Sequence, residues 1–164
     1  MLMVVVFIAM ATMSFGQNAL KIGHLNVNEV IEALPERDSA AAVLEKETNE
    51  YKAVFEEMQV VHNNLVEAYQ TNLTTYSDLM RKTKEAELID KQKRIADFEE
   101  MATSTLQQRN QQLLQPIYDK VMKAIGAVAN EQSFTYILDV SRGGVVFMAK
   151  DSNDVTQLVL TKLK

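Results

Sequence analysis

The sequence predicts an α+β chain, in which a long antiparallel α-helical coiled-coil hairpin rides on a small β-sheet body that oligomerises. Three observations predict it. From Pro35 to Tyr76 there is no Gly and a single Pro at the first position, where a helix has no donor partner to lose. β-rich runs occur only near the two ends, at Ala19–Val27, Phe134–Val140 and Gly144–Ala149. Those ends supply about 50 residues, too few to bury a core unaided, and the chain has no Cys to staple them.

The elements follow in order. Residues 1–16 read as a cleaved secretory signal, because Leu2 to Ala11 is apolar and Ser14 and Gly16 fit small-x-small cleavage before Gln17. The run is shorter than the roughly 20 residues of a bilayer span; a buried N-terminal strand or helix is the structural alternative. Its usual basic flank is missing, so the true start is expected upstream of Met1. Ala19 to Val27 (ALKIGHLNV) then reads as a strand, followed by a short helix around Asn28–Leu34 that Asn26 or Asn28 caps.

The hairpin occupies 35–131. Leu44, Tyr51, Met58, Leu65 and Asn72 repeat every seven residues, and Val54, Val61, Ala68 and Thr75 form a second series offset by three. Together they predict a coiled-coil stripe. The return arm, from about Thr83, carries Leu88, Ile95, Phe98, Leu106, Leu113, Ile117, Val121, Ile125 and Val128 at helical spacings. Each arm of forty-odd residues spans roughly 60 Å. Between Ala102 and Gln112 only Leu106 is large and apolar, which predicts a weak, compliant seam. The turn is expected near Ser77–Lys82, with Ser77 or Thr83 as caps.

After the hairpin, Phe134–Val140 and Gly144–Ala149 flank Ser141-Arg142-Gly143-Gly144 and read as a β-hairpin. Asp151-Ser152-Asn153 offers an N-cap for a last helix carrying Val155, Leu158, Val159 and Leu163 on one face. The domain reading is therefore a signal at 1–16, a discontinuous oligomerisation body at 17–34 and 132–164, and an arm at 35–131. Ile22, Leu25, Val27, Tyr136, Leu138, Val140, Val146 and Met148 are expected to build the shared body.

Composition narrows the chemistry. A net charge of −5 and pI near 5.1 argue against nucleic acid as a partner. The charge is uneven: residues 45–67 hold six acids against two Lys, and 81–94 hold six Lys/Arg against three acids. Tyr76, Leu79 and Met80 are thus expected at an exposed tip among Arg81, Lys82 and Lys84, where they suit weak contact with unfolded chains or simply pack the turn. His24 reads as a packing or hydrogen-bonding residue of a strand, and His62 as part of a solvated helix face, since neither has partners at metal-ligand spacing. Glu56-Glu57 and Glu99-Glu100 point about 100° apart on a helix and form no acid/base pair. Nucleophile-elbow, P-loop and dinucleotide motifs do not occur. No catalytic, metal or cofactor residue is expected.

The order of strand, long hairpin, Leu113-Leu114-Gln115-Pro116-Ile117, β-rich runs and final helix resembles the Skp/OmpH family of periplasmic chaperones. KIGHLNVNEVIEALPE at one end and VANEQSFTYILDVSRGGVVFMAKDSNDVTQLVLTKLK at the other carry the resemblance, which spans 19–164. It implies a homotrimer whose strands form a barrel-like body, with three arms enclosing a cavity for unfolded outer-membrane β-barrel proteins, held in the periplasm without ATP. Well-known members are strongly basic and this chain is acidic. Contact with lipopolysaccharide or a membrane surface would fall to the local cluster Arg81, Lys82, Lys84, Lys91, Lys93 and Arg94. The alternative reading is a structural coiled-coil adaptor of the cell envelope, with stiff arms and a fixed partner.

Overall fold

The computed structural model describes residues 20–164; the expected signal segment and its cleavage site lie outside the described residues. The order is β1 (Ile22–Leu25), α1 (Val27–Glu32), α2 (Pro35–Asn72), α3 (Asp78–Glu131), β2 (Tyr136–Asp139), β3 (Asn153–Asp154) and α4 (Thr156–Leu163). The chain forms two compact units, 20–30 with 121–164, and 31–120.

In the first unit, β1 is the central strand of a three-stranded sheet ordered β2-β1-β3. Both neighbours run parallel to it, with Ile22 opposite Tyr136, His24 opposite Leu138, and Gly23 opposite Asn153. Strand alternation divides its side chains. Gly23 and Leu25 are buried, whereas Ile22 is exposed and His24 half-buried. Leu25, Val27, Val30, Val121, Ala124, Val128, Val155 and Val159 form the buried apolar set of this unit. A Cβ on Gly23 would come within 3.0 Å of the Phe134 ring and 3.1 Å of Val155 Cγ1, so the absence of a side chain lets these groups close over the strand. Lys21 Nζ lies 4.3 Å from the centroid of the same ring, a cation–π contact.

Capping fixes the boundaries. Asn26 Oδ1 accepts from Glu29 N at 3.2 Å, selecting Asn26 as the cap of α1. Pro35 opens α2. Ser77 Oγ accepts from Met80 N at 3.3 Å and starts α3. The end of α3 is a Schellman motif: Phe134 N donates to Ala129 O at 2.9 Å and Ser133 N to Asn130 O at 3.3 Å. Ser133 takes the left-handed conformation this requires, with φ 55°.

Four expectations are corrected. Residues 144–149 form no strand. β2 and β3 lie on opposite sides of β1 and parallel to it, so the chain must cross back between them. Residues 140–152 are that crossing and not one side of a hairpin. The arm turn lies at 73–77, and α3 begins at Asp78. Asn72-Leu73-Thr74-Thr75 favours helix poorly, and Asn72 O collects the turn donors Thr75 N at 2.9 Å and Tyr76 N at 3.2 Å. The carboxylate at the start of α4 belongs to Asp154, whose Oδ1 accepts from Thr156 N at 2.8 Å, and not to the 151–153 segment; Leu158 points outward, 45% exposed.

The fourth correction concerns the stripe on α2. Leu44, Tyr51, Met58, Leu65 and Asn72 are half-buried as expected, but Val54, Val61, Ala68 and Thr75 are exposed. Phe55, His62 and Tyr69 take the inward places instead. An offset of four puts a residue as close to the seven-spaced row as an offset of three does, on its other flank. The position of α3 decides between them. His62 accordingly sits half-buried at the seam rather than on a solvated face.

Candidate functional site

The second unit consists of α2 packed against α3 as far as Lys120. Ala40, Ile95, Ala102 and Ile117 are its buried apolar residues beyond Leu34. Cross-helix contacts define the register: Glu36 with Lys120, Glu47 with Arg109, the Tyr51 and Phe98 rings at 6.0 Å, and Tyr69 OH donating to Glu85 Oε1 at 2.6 Å. The Lys120 ammonium, hydrogen-bonded to Glu36, holds that carboxyl below its usual range. The Glu85 carboxylate, accepting a hydrogen bond from the Tyr69 hydroxyl, raises the Tyr69 phenol.

Because Val54 and Val61 lie at the open edge of the seam and are not closed into it, apolar surface opens along the hairpin. A groove of about 350 Å³ is lined by Val54, Met58, Val61 and Ile95, with Glu57, Lys91 and Arg94 at its rim. A second lies between Ala40, Val43, Leu113 and Ile117. Val60 and Ile89 add exposed apolar area at 57% and 70%. These shallow, largely apolar channels suit a flexible apolar chain better than a compact small molecule.

The expected tip residues divide. Leu79 and Met80 are exposed on the first turn of α3, but Tyr76 is half-buried with its ring 6.2 Å from Tyr69. The basic cluster is largely compensated within α3. Arg81 pairs with Asp78 at 2.9 Å, Lys84 with Glu87 at 2.8 Å, Lys93 with Asp97 at 2.8 Å and Arg94 with Asp90 at 2.8 Å. The hydrogen bond from Lys84 pulls Glu87 down and raises Lys84 itself, and Asp97 raises Lys93 likewise. Lys82 and Lys91 form no ion pair among the described residues. Counting cations in the sequence therefore overstates the local positive field.

In the sheet unit, Ile22, Tyr136 and Leu138 project on one exposed face. Val146 and Met148, expected beside them in a hairpin, lie instead in the crossing segment with Phe147, exposed by 98%, 43% and 82% respectively. Leu25 and Val27 are fully occupied in the core of their own chain, and Val140 is half-buried. Two carboxylates brace the sheet ends, neither of them singled out by sequence reasoning. Burial pushes Asp139 up, but hydrogen bonds from Ser141 and the Val27 N–H, with the Arg142 cation, outweigh it and hold the carboxyl below its usual value. Hydrogen bonds from Thr156, chiefly, lower Asp154 as well. His24 Nε2 shares a 2.8 Å hydrogen bond with Ser152 Oγ, the structural role expected of it. Among the described residues no group of His, Asp and Glu is arranged to hold a metal ion, and no helix is long and apolar enough to cross a membrane.

Comparison with known proteins places this architecture. Relatives called Chaperone protein Skp from Pectobacterium atrosepticum and Photorhabdus luminescens are 25% and 23% identical to it over 151 and 157 residues. The alignments cover 90% and 96% of this chain, and 88% and 93% of theirs. A crystal structure from Caulobacter crescentus CB15, provisionally named an OmpH-like outer membrane chaperone, superposes with a TM-score of 0.74 at 17% identity. It covers 90% of this chain and 86% of that one, so the two share a fold. The family model described as outer membrane protein (OmpH-like) matches residues 21–163. With sheet, hairpin and closing helix all inside that match, the chain belongs to the OmpH-like outer membrane protein family.

Proposed function

We propose that this protein is an ATP-independent periplasmic holdase that keeps unfolded outer-membrane β-barrel proteins from aggregating before membrane assembly. The open apolar seam of the hairpin carries the reading. Val54 and Val61, which the seven-residue repeat assigns to a coiled-coil seam, stay exposed, and Val60, Leu79 and Ile89 add exposed apolar area along the same helices. Relatives named as chaperones and a family named for outer membrane protein support the same reading.

In this mechanism three arms of a homotrimer splay and enclose the client. Each apolar contact is weak, and affinity comes from multivalency across the arms. Polar exposed positions such as Thr103, Gln107 and Gln111 keep the enclosure wet, so the client is not trapped. Release follows when the client folds into the membrane and ceases to offer an unfolded chain. Ile22, Tyr136, Leu138, Val146 and Met148 are the residues assigned to contacts between copies. Tyr76, Leu79 and Met80, with Arg81, Lys82, Lys84, Lys91, Lys93 and Arg94, form the outer client contact. Weak contact with lipopolysaccharide or a membrane surface would rest on Lys82 and Lys91, which form no ion pair among the described residues.

Light scattering tests the proposal. A urea-unfolded outer-membrane β-barrel protein is diluted into ATP-free buffer with and without purified residues 17–164. Suppression of scattering near one trimer per client is expected. Unchanged aggregation beside a folded, oligomeric protein would remove the holdase reading and leave the envelope adaptor as the account to pursue by partner search.

A further inference from the structure

We infer that the Glu47–Arg109 ion pair is a salt-sensitive joint that sets how far the two helices of the hairpin part. On one side of it, Ala40 and Ile117 are buried; on the other, Ile95 is buried and the Tyr51 and Phe98 rings stand 6.0 Å apart. Between these two apolar clamps the return helix reads ATSTLQQRNQQ, with Leu106 its single large apolar side chain. Arg109 Nε reaches both carboxylate oxygens of Glu47, at 2.9 and 3.2 Å. The two side chains are 39% and 28% exposed, more sheltered than most intrahelical pairs along the same arms, such as Lys46–Glu50 at 79% and 65%, and comparable with Lys84–Glu87 at 36% and 38%.

Apolar burial here is thin, limited in this stretch of the return helix to Ala102 and the half-buried Leu106, so the charge pair makes up a larger share of the cross-helix attraction than elsewhere on the arm. The pair still meets solvent, at 39% and 28% exposure, so salt weakens it and leaves an apolar clamp intact. The screening length falls from about 10 Å at 0.1 M salt to about 3 Å at 1 M, where it becomes comparable with the separation of the pair. The hairpin therefore flexes between its clamps as ionic strength rises, without losing helix.

The chain has no Cys, so spin labels at Asn49→Cys and Gln108→Cys, exposed positions beside the joint, report helix separation in labelled chain diluted with unlabelled copies. The wild-type distance distribution is expected to be narrow at low salt and about twice as wide at 1 M, where screening is strong. Glu47→Gln and Arg109→Gln should be wide at both. The reversed pair, Glu47→Arg with Arg109→Glu, should restore the narrow low-salt distribution and its salt response, which separates lost charge from lost folding. A Glu47→Gln distribution as narrow as the wild type, or a reversed pair that stays wide at low salt, would overturn the inference.

Discussion

Ser133 bears a cost that its neighbours impose. The Schellman ending of α3 needs a left-handed residue at this position, and an L-residue there loses about 1–2 kcal/mol relative to the right-handed form. Ser133→Gly should raise the stability of the sheet unit by about 0.5–1 kcal/mol, after the added freedom of unfolded glycine is subtracted; a thermal melt reads this directly. Asp139 behaves in the opposite sense. Its carboxyl lies below the ordinary value of 3.8 because the folded state supplies donors to its anion. The stabilisation is therefore present above the unfolded pKa and lost as pH falls through the folded one, with Asp154 following the same course. Melting temperature should drop as pH falls below about 4, and Asp139→Asn should flatten that drop while lowering stability at pH 7. Neither residue stood out in the sequence. A serine in a left-handed cap and a carboxylate bonded to Val27, 112 positions away, are set by partners that no local pattern announces.

The helical hairpin was readable in outline, because a Gly-free stretch with apolar rows every seven residues has few other ways to bury them. Its inward face was only half readable. The row at Leu44, Tyr51 and Met58 was certain, whereas Phe55, His62 and Tyr69 competed with Val54, Val61 and Ala68 for the flank, and hydrophobicity favoured the wrong side. Losing that competition leaves the valines in the groove with Met58 and Ile95. Val54→Ser combined with Val61→Ser should weaken client binding several-fold, measured by titration of a fluorescent unfolded barrel protein. Helix content and melting temperature should barely move, since surface substitutions away from caps and cores stay within about 0.5 kcal/mol. If binding is unaffected, the groove is not where clients dock.

At the scale of the whole molecule, the α+β class followed from the placement of β-rich runs at the two ends. Strand pairing did not. Gly144–Ala149 has the composition of a strand, but composition does not say which edge is free, and a run of β-formers next to a glycine turn mimics a hairpin. Only the topology, with two parallel neighbours on either side of β1, shows that this stretch must cross between them. The exposed side chains it carries, Val146 and Phe147 above all, and the bare apolar face of Ile22, Tyr136 and Leu138 are the places where one chain alone leaves burial unfinished.

The pairing of Ile22 with Tyr136 and of Gly23 with Asn153 also orders events in time. The central strand is made first, and its neighbours arrive more than a hundred residues later. While a ribosome is still delivering the chain, α2 and α3 can coil locally, but β1 has nothing to pair with. Non-local pairings of this kind pay their closure entropy before any contact rewards it. The sheet is therefore the last part of the chain to form, and until the final 30 or so residues appear the newborn protein is itself an unfolded chain with an unpaired strand.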